Sequence, residues 1–291
     1  MTDLKCNICG EFTAAAAAES SAVHSNVRAF KDESFVYVRC GSCGSLHARD
    51  EVDLGHYYAQ YPFHNLPVDW RLHAMYANYL KRLQESGLKR EDRVLDYGCG
   101  GGHFVTYLRE RGYNVQGFDE YSPKFGDRAV LAERYDCIVS QDVLEHVPAP
   151  HALLEEFSRL TKPDALIALG TPNAAALDLK RPESFAHAIH APYHRHILSE
   201  TALKQIGDKH GWQLARFYPT MYTNTSVPFL NERFYLYYTT LTDGTLDSMM
   251  EDVRAGALIL RLPQTLFWGL FGGLFSRHTD VMAMFRRQNA S

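Results

Sequence analysis

The feature that most constrains the fold is a regular alternation of strand-like and helix-like stretches over residues 68–286. Short apolar runs predict strands at residues 93–96, 114–118, 135–140, 166–170, 212–218 and 280–286. Amphipathic spacing predicts helices at residues 68–86, 103–111, 150–161 and 199–210. Ser199 is the expected N-cap of the last helix, and Gly211 its expected end. Strands that alternate with helices favour an α/β fold, with a mostly parallel sheet and helices on both faces.

A glycine-rich loop follows the first of these predicted strands. The loop carries the pattern D-x-G-x-G-x-G, formed by Asp96, Gly98, Gly100 and Gly102. Glycines allow a tight turn and let a ligand approach the backbone beside the N-terminus of the next helix, which contains Phe104. The dinucleotide fingerprint G-x-G-x-x-G would need a glycine at position 103, where this chain has His103. The loop therefore fits the first pattern better.

This loop and three later segments resemble the motifs of class I S-adenosylmethionine-dependent methyltransferases. Asp119 ends the second strand, residues 135–147 close with the text LEHV, and residues 169–173 read LGTPN. The resemblance covers residues 68–218 in order, and residues 280–286 match the terminal strand of the family. It implies a Rossmann-like, doubly wound, mostly parallel sheet with an antiparallel last strand.

The same resemblance implies S-adenosylmethionine as the cofactor. In the family, the acidic residue and the glycines hold the methionine and ribose parts, and a carboxylate at Asp119 can accept hydrogen bonds from both ribose hydroxyls. The cofactor contacts implied for this chain are Asp96, Gly98, Gly100, Gly102, Phe104, Asp119, Gln141 and Asp142.

The chain departs from the family pattern between Asp119 and Asp136, which are separated by only 16 residues. That length is too short for the usual helix, third strand and second helix. We therefore expect the third strand to be lost or vestigial, around residues 128–131, together with the adenine contact that this region normally supplies.

Two C-x-x-C-G motifs lie near the N-terminus. They contain Cys6, Cys9, Cys40 and Cys43. Two such turns present four thiolates in the arrangement that zinc prefers, and a redox role for either pair is the competing interpretation. Cys99 and Cys137 are expected to be small buried residues of the core.

The cysteine pairs and the glycine loop together resemble bacterial methyltransferases that carry an N-terminal zinc ribbon. Members of that group are associated with sugar, polysaccharide or secondary-metabolite biosynthesis. The resemblance implies a zinc-binding ribbon at residues 1–50, a linker and helix at 51–90, and a class I methyltransferase domain at 91–291.

Candidate catalytic residues lie after the fourth strand of the family pattern and in a histidine-rich stretch at residues 187–196. They are Glu145, His146, His194 and His196. A histidine at the carboxyl edge of the sheet could accept a proton from the methyl acceptor. Asp142, Glu145 and His146 also resemble an arrangement that is associated with magnesium in quinone-pathway O-methyltransferases, so a divalent ion is an alternative.

A long insertion at residues 219–279 separates the last two predicted strands. It is rich in aromatic and aliphatic residues, and it predicts a cap or lid over the site, or a contact in a homo-oligomer. Attachment to a membrane surface is the alternative. The aromatic residues expected to line such a lid are Tyr222, Phe229, Phe234, Tyr235 and Tyr238.

Charge and targeting signals narrow the function further. The chain has a net charge of −4, which does not favour nucleic acid as a partner. The N-terminal text lacks a secretory pattern and no stretch suits a transmembrane span, so a cytoplasmic location is expected. We predict an enzyme that methylates oxygen, nitrogen or carbon of a small molecule in a biosynthetic pathway. An RNA base methyltransferase and a non-catalytic, zinc-bearing scaffold are the alternatives.

Overall fold

The computed structural model describes residues 4–13, 19–62, 66 and 68–288. The strands within these residues are β1 (Leu4–Lys5), β2 (Phe12–Thr13), β3 (Ser20–His24), β4 (Ser34–Arg39), β5 (Leu46–Ala48), β6 (Arg93–Tyr97), β7 (Asn114–Phe118), β8 (Tyr135–Gln141), β9 (Thr161–Pro172), β10 (His196–Ile197), β11 (Trp212–Tyr218) and β12 (Asp280–Arg287).

The α-helices in the same part of the chain are α1 (Leu54–Tyr58), α2 (Trp70–Glu85), α3 (His103–Glu110), α4 (Pro150–Leu160), α5 (Ala186–Ile189), α6 (Glu200–Ile206), α7 (Glu232–Thr240), α8 (Asp247–Met250), α9 (Ala255–Leu260) and α10 (Leu262–Phe271). Short 3-10 helices occur at Arg28–Phe30, Arg128–Ala132, Ala174–Ala176, Pro182–Phe185, Asp208–His210 and Gly272–Phe275.

The largest sheet has six strands in the order β11-β12-β9-β8-β6-β7. The pairs β6–β7, β6–β8 and β8–β9 are parallel, whereas β12 is antiparallel to both β9 and β11. This order confirms the predicted α/β, Rossmann-like sheet with an antiparallel last strand.

Apolar layers cover both faces of this sheet. Leu154 of α4 and Leu203 of α6 pack in one cluster, and Leu108 of α3 packs in the other. Neighbouring residues of β8 divide between the two, Ile138 joining the first and Val139 the second. Because side chains of a strand point alternately to opposite faces, the central strand is buried on both sides and holds the two helix layers together.

The predicted loss of the third strand is confirmed within the described residues. The 3-10 helix Arg128–Ala132 occupies the region between β7 and β8, and β7 is the outermost strand. The guanidinium group of Arg109 donates two hydrogen bonds to the carbonyl oxygen of Val115 in that strand, at 2.9 and 2.7 Å.

The N-terminal region forms the strands β1 and β2 and an antiparallel sheet in the order β10-β5-β4-β3. In this second sheet, His196 pairs with His47 and Ile197 with Leu46. The segment between α5 and α6 therefore adds a strand to the N-terminal sheet and ties that sheet to the rest of the chain.

The predicted helix at 199–210 is shorter in the structure. The Ser199 side chain caps it as predicted, accepting a hydrogen bond from the amide of Ala202. The α-helix ends at Ile206, and a 3-10 turn leads to Gly211, whose φ is 70°. Among the described residues, no helix combines the length and the apolar character that crossing a bilayer requires.

Candidate functional site

The loop between β6 and α3 forms an open backbone cradle. Gly98, Gly100 and Gly102 have φ angles of 80°, 53° and 75°. A Cβ atom on Gly98 would collide with Val143, and one on Gly102 with Phe125, whereas Gly100 faces open space. Side chains at positions 98 and 102 would therefore collide with neighbouring residues, so the turn requires glycine there. At Gly100 the backbone is accessible to a ligand.

Asp119 follows β7 directly and contacts this cradle. One carboxylate oxygen accepts a hydrogen bond from the amide of Gly100 at 2.9 Å, and the other accepts one from the amide of Tyr121 at 2.9 Å. Each carboxylate oxygen can accept more than one bond, so Asp119 retains capacity for hydroxyl groups of a ligand. Asp96, just before the loop, is only 7% exposed, and burial with a smaller contribution from the Asp119 charge raises its pKa to about 7.

The other three predicted cofactor contacts lie in different surroundings. Gln141 donates from Nε2 to the hydroxyl of Tyr79 at 2.6 Å, and its buried Oε1 has no hydrogen-bond partner among the described residues. Asp142 is exposed and has a φ of 53°. Phe104 is buried and stacks on Tyr79 with ring centroids 4.6 Å apart. Phe104 is thus a core residue, while Gln141 and Asp142 lie where the parallel strands end.

Glu145 is the most deeply buried candidate, with a side chain that is 0% exposed. Its Oε2 accepts a hydrogen bond from Thr171 Oγ1 at 3.0 Å, while Oε1 has no hydrogen-bond donor within the described part of the chain. Burial, reinforced by the charge of Asp142, raises the pKa of Glu145 well above its ordinary value. The side chain is therefore a neutral carboxylic acid near neutral pH.

His194 lies beside this unpaired oxygen. Its Nδ1 is 3.0 Å from the carbonyl oxygen of Ala188, which can only accept, so Nδ1 carries the proton and Nε2 the lone pair in the neutral ring. Nε2 lies 3.9 Å from Glu145 Oε1. Burial, together with repulsion from His146 and His190, lowers the pKa of His194 well below its ordinary value. Nε2 is consequently an unprotonated nitrogen next to Glu145.

His146 lies close to Glu145 and His194 and forms a group with them. Its Nδ1 is 2.8 Å from the hydroxyl oxygen of Tyr58, and burial lowers its pKa to about 4. The potential ligand atoms of Glu145, His146 and His194 all lie within 4.8 Å of one another. Asp142, which the sequence placed in a divalent-ion site with Glu145 and His146, is not part of this group, and His194 stands in its place.

His196 is not brought together with these residues. Its Nε2 is 2.7 Å from the carbonyl oxygen of Leu144, and its Nδ1 is 3.3 Å from Asn7 Nδ2. One ring nitrogen therefore donates and the other accepts, and burial, aided by His47, lowers the pKa of His196 to about 3. Both nitrogens of His196 are used in holding the loop after β8 to the N-terminal region.

Several residues near the site escaped the sequence analysis. Tyr58 stacks on Tyr121 at 6.1 Å, so it connects the loop after β7 with His146. Tyr61 packs against Tyr193 at 5.0 Å. Asp280 begins β12, and burial together with the Asp142 charge raises its pKa to about 7. The tyrosine-rich text HYYAQYPFH, which lies in the predicted linker at residues 51–90, is the sequence signal for Tyr58 and Tyr61.

The aromatic residues of the insertion are not all turned towards the site. Tyr222 stacks on Tyr79 at 4.7 Å, and its pKa is raised by burial and by nearby tyrosine and aspartate charges. Phe229 and Phe234 pack on each other at 5.2 Å. Of the five aromatic residues expected in a lid, Tyr222 thus has the clearest contact with the cleft.

The four N-terminal cysteines converge on one point. Cys6 Sγ lies 3.7 Å from Cys43 Sγ, and Cys9 Sγ lies 3.8 Å from Cys40 Sγ. Four thiolates bound to a tetrahedral zinc ion, each at about 2.3 Å, would lie about 3.8 Å apart. His47 Nε2 is 3.2 Å from Cys6 Sγ, in the position of a second-layer hydrogen-bond donor. The arrangement fits a tetrahedral metal ion, and the predicted redox alternative has no support in this geometry.

The segment at residues 194–199 lies between the cysteine cluster and the Glu145 group. Ser199 Oγ donates to the carbonyl oxygen of Cys43 at 2.5 Å. On the other side of the segment, the amide of Arg195 donates to the carbonyl oxygen of Glu145 at 2.8 Å. The segment is therefore held between the cysteine turns and the loop after β8.

Comparison with known proteins shows which family the chain resembles. The family described as "Methyltransferase domain" matches residues 70–216. The chain is 31% identical over 141 residues to a ubiquinone biosynthesis O-methyltransferase of Bordetella avium, which covers 40% of this chain and 56% of that protein. A protein with the same name from Leptothrix cholodnii is 32% identical over 120 residues, covering 33% and 48%. The chain spans about half the length of these curated relatives.

Among solved structures, the chain is similar to the magnesium protoporphyrin IX methyltransferase of Synechocystis PCC 6803. The identity is 15%, the TM-score is 0.44, and the match covers 81% of this chain and 95% of the other.

The cysteine geometry predicts about one zinc ion per chain in freshly purified protein. Cys9→Ser should reduce the zinc content to near zero and lower the melting temperature, because three thiolates no longer complete the tetrahedron. Cys99→Ser is the matched control, since Cys99 lies outside the cluster, and it should keep the metal. Elemental analysis measures both, and a zinc-free wild-type protein would contradict the prediction.

The buried carboxyl of Asp96 predicts a pH dependence of stability. Its pKa is about 7 in the folded chain, above the ordinary value of 3.8, so the folded state binds the proton more tightly and its stability falls as the pH rises between those values. Asp96→Asn should raise the melting temperature of the ligand-free chain by about 4 °C or more at roughly pH 8, and by much less at roughly pH 4. Calorimetric melting at both pH values measures this, with the exposed Asp127→Asn as control. An equal change at both pH values would refute the assignment.

Proposed function

The chain belongs to the methyltransferase-domain family over residues 70–216, and from that membership we propose that it transfers a methyl group from S-adenosylmethionine to a hydroxyl group of a small molecule. When bound, the cofactor supplies an electrophilic methyl group. The residues of this chain then have to hold the cofactor, orient the acceptor, exclude water and take up the proton of the acceptor.

The residues of the glycine cradle fit this cofactor. Gly100 leaves space beside the helix N-terminus, and Asp119 can accept hydrogen bonds from ribose hydroxyls. The buried Oε1 of Gln141 lacks a hydrogen-bond partner among the described residues, and it is a suitable acceptor for a donor group of the ligand. These features support binding of S-adenosylmethionine along the edge formed by β6, β7 and β8.

The pairing of Glu145 with His194 is the observation that carries the choice of a hydroxyl acceptor. A hydroxyl must lose its proton as the methyl group arrives, and the neutral Nε2 of His194 is a proton acceptor at neutral pH. The imidazolium formed in this way would have Glu145 Oε1 beside it as a hydrogen-bond acceptor. His194 thus acts as the general base, and Glu145 supports the charged ring.

The known relatives support the same choice. Both of the curated relatives reported above are named as O-methyltransferases. The rings of Tyr58 and Tyr61 lie near the candidate base, since Tyr58 contacts His146 and Tyr61 contacts His190 and Tyr193, and they favour an acceptor with an aromatic part. We therefore propose a phenolic hydroxyl as the class of acceptor.

A divalent ion held by Glu145, His146 and His194 is the second candidate for activating this hydroxyl. It is favoured by the short distances among the three potential ligands, which are within 4.8 Å of one another. An ion there would replace proton uptake by polarisation of the acceptor oxygen. Turnover that requires added Mg²⁺ after dialysis, in protein that retains its zinc, would select this alternative over the general base.

We also propose that Cys6, Cys9, Cys40 and Cys43 hold a structural zinc ion. The bonds from Ser199 to Cys43 and from Arg195 to Glu145 support a positioning role for this metal, because they join its ligand turns to the segment that bears His194.

Asp119→Asn is expected to weaken binding of S-adenosylhomocysteine by about tenfold, because a neutral amide accepts weaker hydrogen bonds than a carboxylate. Asp92→Asn is the matched control: Asp92 also accepts a hydrogen bond from a turn amide, that of Lys89, but it precedes β6 at the opposite end of the strand from the cradle, and this variant should bind like the wild type. Isothermal titration calorimetry measures both. A wild-type chain that binds neither S-adenosylmethionine nor S-adenosylhomocysteine would refute the proposed function and leave the scaffold alternative.

His194→Ala is expected to lower turnover by about 10²- to 10⁴-fold with little change in cofactor affinity, as loss of a general base does. The assay measures release of S-adenosylhomocysteine with a panel of phenols and catechols, against a blank without acceptor. The exposed His73→Ala is the control and should retain full turnover. A His194→Ala variant with unchanged turnover on a competent acceptor would exclude His194 as the base.

A further inference from the structure

Asn26, which lies just after β3 of the N-terminal sheet, is a buried polar residue that contacts two histidines of the histidine-rich stretch. Its Oδ1 is 2.7 Å from Nδ1 of His190, and its Nδ2 is 3.1 Å from Nδ1 of His187. The residue is only 3% exposed, and its carbonyl oxygen accepts a hydrogen bond from the amide of Leu246 at 2.7 Å. Both the backbone and the side chain of Asn26 are therefore held in place.

The two ends of the Asn26 amide determine the tautomers of both rings. An amide oxygen only accepts and an amide nitrogen only donates, so His190 carries its proton on Nδ1, whereas His187 has a lone pair there. Burial, together with the charges of His146 and His187, lowers the pKa of His190 well below its ordinary value. His190 is therefore a neutral ring that donates from Nδ1 to Asn26.

The backbone of His190 has an unusual conformation. This residue ends α5 with a φ of 45° and a ψ of 54°, in the left-handed region that side chains other than glycine rarely adopt. Such a conformation persists only where the surrounding contacts hold it. The hydrogen bond to Asn26 is one of these contacts, and stacking of the ring on Tyr193, with centroids 4.6 Å apart, is another.

The left-handed turn connects His190 to the proposed base. The carbonyl oxygen of His190 accepts hydrogen bonds from the amides of Tyr193 at 2.9 Å and of His194 at 3.3 Å. The rings of His190 and His194 are also in contact, with centroids 5.1 Å apart and planes at 75°. Nδ1 of His194 is bonded to the carbonyl oxygen of Ala188, which lies in the helix that His190 ends. His190 thus contacts both the main chain and the ring of His194.

We infer that Asn26 is a positioning residue for His194, because it fixes the ring and the backbone of His190, which in turn orients His194. The inference rests on the proposed role of His194 as the general base. A displacement of about 1 Å in a reacting group can lower a rate about 10²-fold, so Asn26 affects the reaction without contact with the reactants. It also gives the N-terminal region a connection to His194 that is separate from the bond between Ser199 and Cys43.

A simple tie between the N-terminal sheet and α5 is the competing role for Asn26. The bond from Asn26 to His187 forms such a tie and does not involve His190. Asn26 and His187 both line an open cavity of about 400 Å³, in which water can take the place of the His187 ring. His187→Ala therefore removes the tie and leaves His190 bonded, and it is the matched control.

The first test is independent of turnover. The full chain is labelled with ¹⁵N-histidine, and long-range ¹H–¹⁵N correlation spectra report which ring nitrogens carry protons; His190→Asn and His194→Ala assign the signals. We expect the wild-type His190 to carry its proton on Nδ1. Asn26→Leu removes the hydrogen-bond acceptor at similar volume, so it should change the His190 tautomer and shift the ring signals of His194. His187→Ala should leave both tautomers unchanged.

The second test measures turnover and cofactor affinity separately. Asn26→Leu should lower kcat by about 10- to 10²-fold, with unchanged zinc content and unchanged affinity for S-adenosylhomocysteine. Asn26→Asp keeps an oxygen for Nδ1 of His190 and should recover most of this loss, and His187→Ala should turn over as the wild type does. Circular dichroism confirms that each variant is folded, and Asn26→Ala replaces Asn26→Leu if the latter does not fold.

Three results would overturn the inference. They are a wild-type His190 that carries its proton on Nε2, a folded Asn26→Leu chain with unchanged His194 signals, and a His187→Ala chain that loses as much kcat as Asn26→Leu. If no acceptor is methylated by the wild type, the proposed function fails, and the spectra of His190 and His194 alone decide whether Asn26 positions His194.

Discussion

The arrangement of the site depends on the backbone contacts of one short segment, residues 194–199. On one side it pairs with β5 and bonds to the Cys43 turn, and on the other side it bonds to the carbonyl oxygen of Glu145. Leu198 of the segment also packs in one apolar cluster with Cys6 and Cys40, so a displacement of the cysteine turns would be transmitted along the segment to His194. The N-terminal module is therefore part of the scaffold of the candidate site.

Burial determines the protonation states around that segment. Glu145 is a neutral acid and His194 a neutral base because neither can be solvated as an ion. A protein interior tolerates such a pair when each partner can satisfy the other as a proton moves. The unpaired Oε1 of Glu145 is costly in the resting chain, which is consistent with a site that is completed by a bound molecule.

The sequence predicts those structural features that are formed by residues close together in the chain. The glycine cradle, the cysteine pairs and the missing third strand could be predicted, because each follows from spacing within a short stretch. The positions of Tyr58 and Asp280 near the candidate site could not be predicted, because these residues come from distant parts of the chain. His194 and His196 are equivalent in the sequence, and only the pairing of β10 with β5 separates them, leaving His196 bonded to Leu144 and Asn7.

The loss of the third strand leaves β7 at the margin of the sheet. A strand margin exposes amide and carbonyl groups to which a strand of another molecule can add, and this is a common route to irreversible aggregation. In this chain the guanidinium of Arg109 lies across the carbonyl oxygen of Val115 and occupies it with two hydrogen bonds. In a fold without the third strand, this charged side chain thus takes over part of the protection that a neighbouring strand would give the sheet margin.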